Sequence, residues 1–289
     1  MNQGYRPSPR PTFSEPTAIP AGSVTRHLWG DDLAGEVADW IYVSSGSIHQ
    51  LVYGLPPGGA FRHSDAFRTI FAADVVYYVL SGTLVIANPA TGEAQRLEPG
   101  EAAFFRRDTW HHAYNQSTRP LRVLEFFAPP PSQGTSGTYA RAQPLLERSR
   151  YGLDDVLGRW PAETAAIAAN QTIHPIRAAD LVWRLSGDVN PIPVGVLVST
   201  EHLTVGRIDL LPGQRSDIES HAGDEGLYVL TGEVHVRPYD DSGPGWLQLA
   251  AGDGCYLPAG TPHQYYNIGG ATASFLFGVA PSYAPGANR

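Results

Sequence analysis

Short apolar runs broken by glycine and proline, rather than long amphipathic stretches, set the pattern of this chain. Tyr77-Tyr-Val-Leu-Ser-Gly82 and Leu227-Tyr-Val-Leu-Thr-Gly232 are continuous apolar runs, each closed by a turn glycine. That is the pattern of a strand buried on both faces. The same reading predicts strands over 48–53, 182–185 and 194–199. Residues 1–25 are proline-rich and read as an extended arm, and 126–136 as a turn-rich closing segment. Helix is predicted only near the middle. Pro161-Ala-Glu-Thr-Ala-Ala-Ile-Ala-Ala-Asn170 has strong helix formers behind an initial proline, and Asp154-Asp-Val-Leu157 makes one more turn.

The pattern occurs twice. Tyr77–Gly82 recurs at Leu227–Gly232, an offset of 150. Gly100…Thr109-Trp-His111-His-Ala-Tyr-Asn115 recurs as Gly252…Thr261-Pro-His263-Gln-Tyr-Tyr-Asn267, an offset of 152. The difference is assigned to a longer turn at Asp240-Asp-Ser-Gly-Pro-Gly245. A long period with two copies indicates a duplicated domain rather than a repeat array. The expected organisation is an arm over 1–25, a first barrel over 26–130, a linker with a short helix over 131–175, and a second barrel over 176–289.

Two clusters in the second copy carry chemistry: Glu219-Ser-His221-Ala-Gly-Asp-Glu225, and His263 within Gly260-Thr-Pro-His263. Glu219 and His221 are two residues apart, so extended backbone puts them on one face. Imidazoles and carboxylates are donors that divalent Fe, Mn, Ni and Zn accept. Here the chain resembles the cupin superfamily, whose second motif, Gly-x5-Pro-x-Gly-x2-His-x3-Asn, matches Gly252 to Asn267 throughout. The resemblance implies an all-β fold of two tandem double-stranded β-helix (jelly-roll) barrels, a bicupin. It also places His221, Glu225 and His263 on metal-ligand positions, with Glu219 where the family usually has histidine. Ureidoglycine aminohydrolases are similar in having Glu-x-His there.

The first copy keeps His111 but, aligned on its turn glycine, has Thr69, Phe71 and Val75 where the second has Glu219, His221 and Glu225. Aligned instead on Pro57-Gly58, it offers His63-Ser-Asp65, which with His111 would form a facial triad. Arg62, His63, Asp65, His111 and His112 are therefore candidates for a polar pocket. Tyr228 and Tyr265 join Glu219 as candidate catalytic groups.

Composition narrows the chemistry. Of the 289 residues none is lysine, which excludes Schiff-base and P-loop lysine mechanisms. The net charge of −8 without a basic cluster argues against nucleic acid. No apolar run is long enough to span a membrane. The N-terminus has no apolar signal core, and the single cysteine, Cys255, suits a reducing compartment, so a cytoplasmic location is expected. The resemblance implies one divalent metal ion, Fe(II) first, and a dioxygenase acting on a small oxygenated metabolite. The alternatives are a non-redox Mn or Zn isomerase, lyase or amidohydrolase, and a small-molecule binding module. Bicupin barrels with exposed sheet edges lead us to expect a homodimer.

Overall fold

The computed structural model describes residues 7–152, 158, 164–239 and 245–284. Two seven-stranded sheets and two smaller ones, all antiparallel, make two barrels. The first large sheet runs in the order Ile173–Ile176, Ala102–Phe105, Asp74–Ser81, Leu121–Ala128, His49–Leu55, Gly35–Ser44, Thr25–Asp31. The second runs Thr17–Ile19, Gly254–Leu257, Asp224–Thr231, Ala273–Ala280, Thr204–Leu210, Ile192–Ser199, Val182–Ser186. Opposite them lie small sheets built on His112–Asn115 and on His263–Tyr266.

The outer positions of the two large sheets are exchanged between barrels. Thr17–Ile19 precedes the first barrel but pairs with Gly254–Leu257 of the second, Thr17 opposite Tyr256. Ile173–Ile176 precedes the second barrel but pairs with Ala102–Phe105 of the first, Ile173 opposite Phe105. Each barrel is thus closed by chain that leads into the other.

The all-apolar strands follow from three separate cores. On Asp74–Ser81, Val75, Tyr77 and Val79 fill the first barrel, while Val76, Tyr78 and Leu80 face the second. On Asp224–Thr231, Leu227 and Val229 fill the second barrel, while Tyr228 and Leu230 face the first. Both faces are buried, so period-2 alternation of polarity is lost. The large sheets approach closely where one lacks side chains: a Cβ on Gly278 would lie 2.3 Å from the Phe126 ring, and one on Gly254 2.4 Å from Tyr42.

Regular helix is confined to two short α-helices, Gly137–Ala142 and Thr164–Ala169, among the described residues. The first was not foreseen. The helical turn expected at 154–157, the start of the second helix at 161–163, and most of the longer turn at 240–245 lie outside the described residues.

Candidate metal centre

The duplicated strand order brings Glu219, His221, Glu225 and His263 to one end of the second barrel. Glu225 lies on Asp224–Thr231 and points inward, two residues before Leu227. His263 opens His263–Tyr266, and a pair of backbone hydrogen bonds locks it opposite Glu219 (2.8 and 2.9 Å). His221 Nε2 lies 3.7 Å and His263 Nε2 3.3 Å from Glu225 Oε2. Glu219 Oε1 is 4.0 Å from His263 Nε2. Among the described residues, Glu219, His221 and His263 are the one group of His, Cys, Asp or Glu side chains whose ligand atoms all lie within 4.8 Å of one another, and they could hold a metal ion.

Both imidazoles are held in the orientation a ligand needs. His221 Nδ1 is 3.1 Å from the Tyr283 carbonyl oxygen, and His263 Nδ1 3.0 Å from that of Thr261. A carbonyl only accepts, so Nδ1–H donates and each Nε2 lone pair is left for the centre. Burial lowers the pKa of both, that of His263 to about 3, which keeps them neutral. Tyr283 stacks on the His221 ring at 4.3 Å, and backbone bonds from Ala222 to Ala284 and from Gly223 to Ser282 pin its segment there.

The carboxyl groups show the reverse shift. Burial raises Glu225 to about 8, and burial followed by repulsion from Glu225 raises Glu219 to about 7. Glu225 Oε1 accepts the Tyr265 hydroxyl at 2.6 Å. Glu225 Oε2 is buried without any hydrogen-bond partner, facing the two Nε2 atoms. A divalent cation fits that donor set: two neutral imidazoles, and two carboxylates whose charge it would balance.

Tyr265 thus touches both Glu225 and His263, 2.8 Å from His263 Nε2. Tyr228, three residues beyond Glu225, falls on the opposite face of its strand and packs on Tyr42 between the barrels. Strand parity removes it from the centre. Cys255 is a buried free thiol in the second core.

The first barrel does not bring His63, Asp65 and His111 together. His111 N bonds the Thr69 carbonyl as His263 bonds Glu219, so Thr69 occupies the Glu219 position. Phe71 packs on His111 as His221 does on His263. His63 instead bonds His112 at 2.7 Å, and His112 bonds Tyr151 at 2.9 Å. Asp65 is 85% exposed beside Arg68, and exposed Arg62 lies over the Tyr114 ring. The pocket expected from these five residues divides because His111 and His112, adjacent where the strand His112–Asn115 begins, face opposite ways. Tyr283, Asp39 and Glu125 were not anticipated. A carboxylate inside Leu121-Arg-Val-Leu-Glu-Phe-Phe-Ala128 was the available signal for Glu125.

The Cupin domain family matches residues 72–127 and 206–279, and the chain belongs to the cupin superfamily, with two cupin barrels. A protein from Pseudomonas aeruginosa described as glyoxylate-induced has a similar structure, with 18% identity, a TM-score of 0.64, and coverage of 96% of this chain and 94% of that one. Ylba from E. coli is 12% identical, with a TM-score of 0.60 over 96% and 97% of the two chains. Lactobacillus farciminis oxalate decarboxylase, as a formate complex, is 14% identical, with a TM-score of 0.60 over 96% and 88%. At these identities the likeness concerns the fold. No curated protein matches the chain.

Proposed function

We propose that the chain is a metal-dependent enzyme that acts on a small oxygenated metabolite at Glu219, His221, Glu225 and His263. The observation that carries this reading is Glu225 Oε2, buried and unpartnered between two imidazoles already oriented by backbone carbonyls. When bound, a divalent ion supplies Lewis acidity to a substrate oxygen. The chain supplies the rest. His221, His263 and Glu225 hold the ion, and Tyr265 fixes the Glu225 carboxylate. Glu219 lies on the more open side, 19% exposed, where it can bind the ion or hold a proton for a substrate atom.

A carboxyl side chain at 219, part-exposed beside the other ligands, supports non-redox chemistry on Mn or Zn through proton transfer: a lyase, isomerase or amidohydrolase. Several similar structures are named oxalate decarboxylases, which makes oxalate the first substrate to test. An Fe(II) dioxygenase is the second reading, supported by two imidazoles and a carboxylate that leave coordination positions open. The test is elemental analysis of protein purified without added metal, then turnover of oxalate, glyoxylate and related small acids with and without oxygen. Anaerobic turnover selects the non-redox reading, and oxygen uptake with Fe(II) selects the dioxygenase. A chain with no affinity for Fe, Mn, Ni or Zn overturns both. A cytoplasmic location and a homodimer belong to the same proposal; among the described residues no helix is long and apolar enough to cross a membrane.

A further inference from the structure

A second polar cluster lies inside the N-terminal barrel, around a cavity of about 120 Å³. Aromatic side chains form much of its wall, among them Trp29, Phe61, Phe71 and Phe127. Asp39, Glu125 and the Tyr53 hydroxyl share that wall. Pairing sets their proximity: Asp39 and Val123 flank Tyr53 on either side, and Glu125 follows Val123 two residues later on the same face. Asp39 and Glu125 are 7% and 8% exposed. Among the described residues neither makes a hydrogen bond or ion pair; burial, and for Glu125 also repulsion from Asp39, pushes each to about 8.

These groups are not remnants of the metal motif. Glu125 pairs with Tyr77 as Phe277 pairs with Leu227, so its counterpart is Phe277. Tyr53 lies opposite Val123 as Ile208 lies opposite Phe275, so its counterpart is Ile208; Asp39, beyond Tyr53, corresponds to Val194. The second barrel is apolar at all three positions. Two unpaired carboxyls in an apolar barrel weaken the fold, so they need a role that the duplicate lacks. A second observation points to a ligand: the Tyr53 oxygen is fully buried on the cavity wall and has no hydrogen-bond partner, and neither has Thr69 Oγ1.

We propose that the N-terminal barrel is a separate binding site for a small organic cation, an ammonium or guanidinium on a short stem. Its N–H groups donate to Asp39, Glu125 and the Tyr53 oxygen, and the aromatic wall covers its face. A cavity of about 120 Å³ limits the ligand to roughly ten non-hydrogen atoms. A bare divalent ion fits less well, since no group of three ligand atoms closes here among the described residues. Of the other groups on the wall, His49 and His111 are kept neutral by burial, and the Arg68 guanidinium is turned toward the carbonyls of Ala140, Arg141 and Gln143 through Nη1 and toward Asp65 through Nη2.

The test is calorimetric titration of the full chain with methylguanidinium and propylammonium, with propanol and propionate as controls. Millimolar binding of a cation but of neither control is expected. Asp39→Asn and Glu125→Gln should each weaken it roughly tenfold to a hundredfold, the range for losing a charge-assisted hydrogen bond. Both substitutions keep shape and put a neutral amide in place of the carboxyl, so folding survives, and metal content of the other barrel stays unchanged. Absence of binding by both cations, or variants that bind as tightly as the unsubstituted chain, overturns the proposal.

Discussion

Glu225 and Asp39 sit in similar surroundings, yet different partners decide what each can do. Glu225 faces two neutral imidazoles, so an ion can balance it and the two barrel ends are not equivalent. We expect His221→Ala with His263→Ala to lower bound metal to background by elemental analysis; retained stoichiometric metal would refute the assignment. Glu219→Gln should keep metal through the other three ligands but bind it about tenfold more weakly, and lower turnover by roughly 10²–10⁴-fold. Unchanged turnover would leave Glu219 as a spectator. Asp39 and Glu125, which have no hydrogen-bond or ion-pair partner among the described residues, also bear on stability. Their folded-state pKa values lie near 8, above the ordinary carboxylate value near 4. Between those limits the folded chain holds protons that the unfolded chain has released, so stability falls as pH rises from about 4 to 8. Asp39→Asn should flatten that decline, by on the order of a few kcal/mol at pH 8. A melting profile with the wild-type slope would contradict it.

Barrel duplication was legible in the sequence because both large sheets repeat an apolar run and a turn glycine that packing requires. The donor set was equally legible, because Glu219, His221, Glu225 and His263 fall within two short segments. Tyr283 was not, since it reaches His221 only through pairing of the C-terminal segment with Ala222 and Gly223. Nor was the split of His111 from His112, which depends on strand parity about a register no local pattern fixes. The exchanged edges also escaped sequence reading: Thr17–Ile19 contributes three residues to a sheet whose other strands begin at Val182. That strand covers Gly254–Leu257, the neighbour of Glu225 in the sheet. Deleting residues 1–24 removes the buried side chains of Ile19 and Val24, at about 1.5–3 kcal/mol each. We expect the melting temperature of the truncated chain to fall by several degrees and its metal affinity to weaken. Unaltered melting would show that the strand is decoration.

Over the whole molecule, the exchanged strands cover one edge of each large sheet and leave the other open. In the second barrel that edge is Val182–Ser186, which pairs only with Ile192–Ser199. Open edges are normally guarded by charge or proline; here Arg184 carries the strand's charge, while Val182, Trp183 and Leu185 are 54%, 51% and 75% exposed. Val189, Leu211 and Ile218 are exposed as well. Ile218 adjoins Glu219 in the chain and is 55% exposed, so the apolar surface borders the metal centre. A second copy paired across this edge would cover the patch and narrow the approach to Glu219, joining assembly to substrate access. We expect light scattering at micromolar concentration to give twice the 31.2 kDa chain mass. Trp183→Glu with Leu185→Glu should yield monomers with little change in melting of the single chain, because both side chains are half exposed or more before association. Wild-type protein that runs as a monomer at those concentrations would sink the dimer. A dimer that survives the double substitution would move the interface elsewhere, with Leu28 and Leu33 at the open edge of the first sheet as the next surface to change.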